Sequence, residues 1–194
     1  MSTKPKFPIT GDTKADQLLE KDPLALVIGM LLDQQVPMEW AFKGPLTLKE
    51  RIGSLDAKTI ADMDEDKLVE IASTKPAIHR YPRSMVLRIQ ALCTMVIEEY
   101  GGDVSKVWKS QKTASDVIKR LQTLPGYGPE KSKIFLAILV KRFGYSFEGF
   151  DKACAPFSGD EPRSAAHVSD AESLTKVHAY KKMLKAKAKA AQAK

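Results

Sequence analysis

Apolar residues recur at three- and four-residue spacings along most of the chain, which is the period of an amphipathic α-helix. The alternation of apolar and polar residues that is typical of a β-strand never persists. The pattern therefore predicts an all-α fold. The predicted helices span residues 14–21, 23–35, 38–52, 57–62, 65–73, 83–100, 114–122, 129–143 and 170–188.

The clearest helix is predicted at 83–100, where an apolar stripe is followed by two glycines that end the helix. The stripe consists of Met85, Ile89, Leu92, Val96 and Ile97. Helix starts are predicted where Asp22 precedes Pro23 and at Thr113, because these residues cap free N–H groups. Ser169, with Glu172 three residues later, fits a capping box.

Residues 146–167 contain Gly, Pro and Ser without any period and are predicted to form a loop. Structureless connections of this length are uncommon in compact domains, which indicates a functional role. We divide the chain into a body, residues 1–168, and a C-terminal helix with a Lys/Ala-rich basic tail, residues 169–194. A helical hairpin is predicted within the body at 113–143.

The formal net charge of +7 at first indicates an anionic partner for the whole chain. Seven lysines beyond residue 175 account for all of this charge, with no acidic residue among them. They are Lys176, Lys181, Lys182, Lys185, Lys187, Lys189 and Lys194. The body would therefore need localised sites to bind nucleic acid. Two interpretations of the tail stay open: a solvated helix that aids solubility, and a non-specific tether for phosphate groups.

Membrane and secreted classes are not favoured by the sequence. The richest apolar stretch, residues 23–32, is too short to span a bilayer, and the N-terminus lacks an apolar signal core. Two cysteines, Cys93 and Cys154, do not form a disulfide framework of the secreted type. The sequence predicts a cytoplasmic protein.

The stretch TLPGYGPEKSK, residues 123–133, breaks the helical pattern sharply. Gly126 and Gly128 permit a positive φ and leave room for an approaching backbone. The second helix starts at Pro129, and its free N–H groups lie at the positive end of the helix dipole, which together form an anion site. The alternative is an ordinary hairpin with Lys131 and Lys133 as surface lysines.

Three segments in order resemble the helix-hairpin-helix (HhH-GPD) superfamily of base-excision DNA glycosylases, which includes endonuclease III, the adenine glycosylase and the alkylpurine glycosylases. They are LPGYGPEKSKIFLAI at the hairpin, IGMLLDQQVPMEWA at 28–41 and STKPAIHRYPRSMVLRIQALCTMVIEEYGGDV at 73–104. The resemblance covers roughly residues 15–145. It implies an all-helical, two-lobed fold with double-stranded DNA in the cleft between the lobes, and a monomer associated with the nucleoid.

The resemblance implies a phosphate contact at the hairpin, through backbone N–H groups near Gly126, Tyr127 and Gly128. Lys131 or Lys133 would assist, and such contacts position a protein on DNA without reading its sequence.

The resemblance also implies contacts around a nucleotide that is flipped out of the base stack. Gln35, rather than its neighbour Gln34, matches the glutamine that fills the gap or contacts the orphan base. Arg80 and Arg83 would contact phosphate, and Tyr81 would stack or act as a wedge. Ordinary surface exposure is the alternative for Arg80, Tyr81 and Arg83. For the two glutamines the alternative is that their amides satisfy backbone groups near a helix end.

Cleavage of an N-glycosidic bond builds positive charge on the sugar, and a carboxylate stabilises that charge. In the resembling superfamily this carboxylate is an aspartate in the loop after the hairpin, and Asp151 lies in the corresponding region. The match is imperfect, because the family's aspartate comes a few residues sooner. Glu148, Asp160 and Asp33 are the other acids that could serve.

Members that also cut the strand use a lysine two residues after the second hairpin glycine. Glu130 occupies that position here, and Lys131 is offset by one residue, which turns a helical side chain by about 100°. The resemblance therefore implies a monofunctional glycosylase. Two cysteines cannot supply the four-cysteine iron–sulfur cluster of many members. No cofactor is expected beyond a monovalent cation, which the hairpin carbonyls of this family often hold.

Three functions remain open from the sequence: a DNA glycosylase, a non-catalytic protein that binds damaged or bent DNA, and a helical protein–protein adaptor. An Asp151 buried in the cleft would favour the first function. A neutral or acidic cleft would favour the third.

Overall fold

The computed structural model describes residues 5–192, so Lys194 of the predicted tail lies outside the described residues. The described chain forms eleven α-helices and one 3₁₀ turn, and its only extended pairing is an isolated bridge between Thr113 and Glu148. The α-helices are α1 (Thr13–Lys21), α2 (Pro23–Leu32), α3 (Met38–Ile52), α4 (Ala57–Asp62), α5 (Glu65–Ser73), α6 (Pro82–Tyr100), α7 (Lys106–Lys109), α8 (Ala114–Leu121), α9 (Pro129–Phe143), α10 (Phe150–Ala153) and α11 (Ala171–Gln192). The 3₁₀ turn spans Ala165–His167. The prediction of an all-α fold is confirmed.

Two predicted helix starts carry the expected side-chain caps. The carboxylate of Asp22 accepts the N–H of Leu24 at 2.9 Å, and the hydroxyl of Thr113 accepts the N–H of Asp116 at 3.1 Å. Capping side chains satisfy N–H groups that have no partner within the helix. These two starts were therefore readable from residue type alone.

The C-terminal end of α2 differs from the prediction, which extended this helix to residue 35. The helix ends at Leu32, and Gln35 adopts a φ of 56°, in the left-handed region. Pro37 has no N–H group with which to continue a helix. The glutamine pair therefore lies in a turn between α2 and α3.

The predicted capping box at Ser169 is wrong, because Asp170 caps α11. Its carboxylate accepts the N–H of Ser173 at 2.8 Å, and the Ser173 hydroxyl accepts the N–H of Ser169 at 2.8 Å. Glu172 instead pairs with Lys176 one turn along, at 2.7 Å. The helix also continues to Gln192, beyond the predicted end at residue 188.

Three short elements were not predicted from the periodicity of apolar residues. α7, α10 and the 3₁₀ turn each have only three or four residues, about one turn, which is too short to display a period. The last two lie inside the predicted loop 146–167, so that segment is partly ordered by local turns. Ile97, placed on the buried stripe of α6, is 36% exposed, while the other four stripe residues are buried.

The helices pack in two groups, α1–α6 and α7–α11. Phe7 joins the groups, since its ring lies 5.3 Å from that of Phe42 in α3 and 6.2 Å from that of Phe143 in α9. Nine of the ten residues of α2, from Leu24 to Leu32, are buried where the groups meet. No helix in the described part of the chain is long and apolar enough to cross a bilayer.

Candidate functional site

The hairpin between α8 and α9 is pinned to the end of α2. Gly126 has a φ of +82°, and a Cβ atom on it would lie 3.3 Å from Cγ of Leu31. The Tyr127 hydroxyl donates to the carbonyl of Val27 at 2.8 Å, and its ring packs edge-on against Phe135. The hairpin therefore has a fixed position relative to α2.

Free backbone N–H groups lie at the start of α9. Gly128 is the N-cap residue and provides no side-chain cap, Pro129 has no N–H group, and the first-turn N–H groups have no helical acceptor. Gly128 has a negative φ and does not use the freedom to adopt a positive one, but nothing lies within 4 Å of a Cβ atom built on it, as expected of a glycine that leaves room for an approaching group. The space above Gly128 is therefore open to a ligand.

The sequence predicted a phosphate contact through backbone N–H groups near Tyr127, but the N–H of Tyr127 itself is used within the turn. It donates to the carbonyl of Leu124 at 3.0 Å, which closes the turn. Residue type alone cannot show which N–H groups of a turn are used internally. The N–H groups that could bind an anion here are consequently those that follow Tyr127.

A cleft of about 1080 Å³ opens beside this helix start. Its walls come from the α2–α3 turn, the first turns of α9, Arg163 and α11. The basic side chains that line it are Lys131, Arg163, Lys181, Lys182 and Lys185, and the acidic ones are Asp33 and Glu130. The cleft is thus cationic, which argues against the adaptor interpretation.

Lys131 lies deep in the cleft. Its ammonium group donates to the carbonyl of Leu31 at 2.8 Å, at the end of α2. Burial lowers the pKa of Lys131 to about 8, although the negative charge of Asp33 acts to raise it. The one-residue offset seen in the sequence therefore does not turn this amine away from the cleft.

Asp33 is the acid on the opposite wall, just after α2. Burial raises the pKa of its carboxyl group, while the ammonium groups of Lys181 and Lys131 act in the opposite direction. The carboxylate makes no hydrogen bond within the described residues. A half-buried carboxylate that has no hydrogen bond interacts more strongly with a positive charge placed beside it than a fully exposed one does.

The two glutamines differ in how their side chains are held. The amide of Gln34 is engaged, since it donates to the sulfur of Met85 at 3.0 Å and accepts from Arg88 at 3.1 Å. Gln35 is exposed, makes no side-chain hydrogen bond with the rest of the described chain, and lines the cleft. Its left-handed backbone is unusual for a residue other than glycine and aims a free amide at the cleft.

Gln35 also borders a second cavity of about 220 Å³. Its remaining walls are Gln34, His79, Tyr81, Ser84, Met85 and Arg88. Tyr81 is 45% exposed, and the guanidinium of Arg80 lies 5.5 Å from the centre of its ring. An exposed aromatic ring at the mouth of a cavity is suited to stacking against a base.

His79 holds the loop before α6 in place. Nδ1 of its ring accepts the N–H of Tyr81 at 3.0 Å, so Nε2 carries the proton and donates to the Gln34 carbonyl at 2.9 Å. Burial lowers the pKa of His79, which favours this neutral ring. The histidine therefore links Tyr81 to the glutamine turn.

Four side chains singled out in the sequence line neither cavity: Arg80, Arg83, Lys133 and Asp151. Arg83 pairs with Glu65 at 2.7 Å and Asp66 at 2.6 Å on α5. Lys133 donates to the carbonyl of Ala155 at 3.2 Å. Asp151 is exposed on α10 and lines neither cavity, so the buried position in the cleft that would favour a glycosylase is not observed. Their predicted roles stay predictions, and the structure does not bring them together with Lys131 and Gln35.

Sequence reasoning missed Arg88 and the lysines of α11 as parts of this region. Arg88 stands on α6 one and a half turns after Arg83, and its spacing carried no signal of its own. The lysines of α11 were seen only as a tail. Their recurrence at three- and four-residue spacings was the signal that could have placed them on one helix face.

The two cysteines do not fit an iron–sulfur cluster. Both are buried, and the Cys154 thiol donates to the carbonyl of Lys133 at 3.6 Å. Burial raises the pKa of both thiols to about 12, so both are protonated at neutral pH, whereas a metal ligand must be a thiolate. A four-cysteine cluster would need two more cysteine ligands than this sequence contains.

Comparison with known proteins identifies one family. Residues 28–193 match the family model described as the HhH-GPD superfamily base excision DNA repair protein. The match begins inside α2 and includes the α2–α3 turn, the hairpin and α11, so every wall of the cleft lies within it. No curated protein matches the chain significantly.

Proposed function

Because the chain belongs to the HhH-GPD superfamily of base excision DNA repair proteins, we propose that it is a DNA glycosylase. It hydrolyses the N-glycosidic bond of a flipped, damaged or mismatched base and leaves the strand uncut. The observation that carries this proposal is Asp33, a half-buried carboxylate that lines the cationic cleft beside the free N–H groups of α9 and is close enough to Lys181 and Lys131 for their charges to act on it.

The hairpin grips the DNA backbone in this proposal. A phosphate sits over Gly128 and accepts the free N–H groups at the start of α9, where the helix dipole is positive. Gln35 fills the gap in the base stack, and Tyr81 stacks at the mouth of the second cavity. These contacts hold the flipped nucleotide with its sugar in the cleft.

Asp33 acts on the sugar. As the bond from C1′ to the base nitrogen breaks, its electrons leave with the base and positive charge develops on the sugar ring. The ionised Asp33 stabilises this charge and orients a water molecule, whose oxygen bonds to C1′. The water's proton passes through the carboxylate to the departing base or the solvent, and no cofactor is required.

Asp151 remains the assignment that the resemblance implies. Its exposed position on α10 gives it no contact with the cleft in this conformation. The two assignments therefore predict opposite effects when either aspartate is replaced by asparagine.

The test is a panel of duplexes that each carry one lesion: uracil, hypoxanthine, 8-oxoguanine, an oxidised pyrimidine, an alkylated purine or an A·G mismatch. We expect one duplex to break only after alkali treatment, because hydrolysis leaves an abasic site in an intact strand. If all the duplexes stay intact while a lesion is bound in preference to undamaged DNA, the protein is the non-catalytic binder instead.

A second candidate activity is strand cleavage through Lys131, and one observation favours it. An amine with a pKa of about 8 is largely neutral at mildly alkaline pH and is able to attack C1′. The base would leave with the electrons of its bond to C1′, and opening of the sugar ring at the C1′–O4′ bond, with a proton taken up by O4′, would give a Schiff base. Against it, Glu130 occupies the position of the family's lysine, and the Lys131 ammonium is engaged by Leu31.

Borohydride reduction separates the two activities. We expect no covalent protein–DNA adduct, and we expect Lys131→Met to shift the acid limb of the pH–rate profile upward. The shift follows because Lys131 lowers the pKa of Asp33, so its loss makes the carboxylate protonate at higher pH. An adduct formed by the wild type and lost in Lys131→Met, with a yield that rises as the pH approaches about 8, would establish the Schiff base.

A further inference from the structure

The first half of α11 is fixed to the body on several sides. Val177 is fully buried, and Nε2 of His178 lies 2.6 Å from a carboxylate oxygen of Glu39 in α3. On the other side the Tyr180 hydroxyl donates to Glu161 at 3.2 Å, and the Arg163 guanidinium lies 5.2 Å from the Tyr180 ring centre. This helix is therefore a docked element, not a detached tail.

Beyond these anchors one face of α11 is basic and turns towards the cleft. Lys181, Lys182 and Lys185 all line it. Because successive residues are 100° apart on a helix, Lys189 continues the same stripe and Lys187 lies on the opposite face.

The lysines of α11 that line the cleft form no ion pair with an acidic residue of the described chain. Within residues 5–192 none of Lys181, Lys182 and Lys185 forms an ion pair or a side-chain hydrogen bond. Lys181 comes near enough to Asp33 for its charge to act on that carboxyl. The face is consequently cationic and free to bind an anion.

The cleft thus has anion-binding groups on two sides: the free N–H groups of α9 and the lysines of α11, with Asp33 between them. A row of positive charges along a docked helix matches a row of phosphates, whereas a single small anion would occupy only one position. The partner of matching charge and length is a nucleic-acid backbone.

We propose that α11 is a second phosphate-binding wall of the cleft, whose Lys181, Lys182 and Lys185 contact the backbone of the strand that carries the flipped nucleotide. This inference rests on the proposed function for the identity of the strand. It makes the C-terminal helix part of the DNA site, in place of the solubility tail or loose tether that the sequence left open.

Position on the helix, and not charge alone, distinguishes this wall from a tether. Lys185→Gln and Lys187→Gln remove the same charge two residues apart, but only Lys185 faces the cleft. We expect Lys185→Gln to weaken duplex binding by about threefold to tenfold. It should also reduce the slope of log K against log salt by about 0.9, the value for one phosphate contact.

The control and the double variant complete the test. Lys187→Gln should bind like the wild type, and Lys181→Gln with Lys185→Gln should lower the salt slope by about 1.8. If Lys185→Gln and Lys187→Gln lose equal amounts of duplex affinity, the proposal of a phosphate-binding wall is wrong. The lysines of α11 would then act as a tether through their total charge. Circular dichroism and thermal unfolding check that α11 stays helical and docked.

Binding is measured on the full chain, with lesion and undamaged duplexes, and base release is scored separately. If no lesion is cleaved but the salt slopes follow the expected order, the glycosylase proposal fails and the wall stands. If a lesion is cleaved but the salt slopes of Lys185→Gln and of the double variant equal that of the wild type, the wall proposal fails and the glycosylase proposal stands.

Discussion

Asp33→Asn is expected to slow release of the base by about 10²–10³-fold, which corresponds to about 3–4 kcal/mol of lost transition-state stabilisation. The asparagine keeps the shape of the side chain but removes the negative charge that faces the developing cation. Affinity for the lesion duplex should stay the same or rise, because one negative charge leaves a cleft that binds a polyanion. Single-turnover base release on the duplex cleaved by the wild type measures the effect.

Stability provides the internal check on this variant. Because the pKa of Asp33 is higher in the folded chain than its ordinary value of 3.8, the folded state binds the proton more tightly than the unfolded state. The ionised carboxylate therefore costs stability at neutral pH, and Asp33→Asn should not lower the free energy of unfolding. A slow and unstable variant would point to misfolding, whereas a slow and stable one isolates the chemistry.

Asp151→Asn tests the competing assignment, in which Asp151 is the catalytic carboxylate. Asp151 is exposed and lies outside both cavities, so its substitution should leave the rate within about twofold of the wild type. If Asp151→Asn abolishes base release while Asp33→Asn does not, the assignment implied by the family resemblance is right. The cleft would then have to rearrange around the DNA to bring α10 to the sugar.

The helices could be predicted because their causes are local. Asp22 and Thr113 cap the N–H groups that follow them in sequence, and the apolar period of α9 depends on neighbouring residues alone. Where a stronger local partner was available, the prediction failed. Asp170 provides a carboxylate for Ser173, and it displaced the serine that was chosen as the cap of α11.

The site was only partly predictable, because its members come together through tertiary contacts. The hairpin and Gln35 carried sequence motifs, and both lie at the cleft. Nothing in the sequence shows that the amine of Lys131 reaches the carbonyl of Leu31, 100 residues away, or that Lys181 approaches Asp33. The choice of Asp151 over Asp33 followed chain order in the family, whereas burial beside two lysines depends on the packing of α2, α9 and α11.

Substitution of the two hairpin glycines should separate an effect on folding from an effect on DNA binding, because the two positions have different surroundings. Gly126→Ala places a non-glycine residue at a φ of +82° and its Cβ 3.3 Å from Leu31. Left-handed backbone alone costs such a residue about 1–2 kcal/mol, and the contact with Leu31 adds to it. We expect the free energy of unfolding in urea to fall by about 1–3 kcal/mol.

Gly128→Ala should behave in the opposite way. Its φ of −86° suits alanine and nothing lies within 4 Å of the added methyl, so stability should be unchanged or rise by up to about 1 kcal/mol. The methyl would nevertheless stand where a phosphate approaches the N–H groups of α9. A hydrogen bond to a charged group contributes about 1.5–3 kcal/mol, so duplex affinity should drop at least about tenfold.

The pair of variants tests the anion site directly, because each has an effect that the other lacks. Fluorescence anisotropy with a labelled duplex measures the affinity, and urea unfolding measures the stability of the same preparations. Unchanged affinity in a stable Gly128→Ala protein would mean that the backbone of the hairpin does not hold the phosphate. The lysines of the cleft would then provide the phosphate contacts, and the salt dependence of DNA binding would come from these side chains alone.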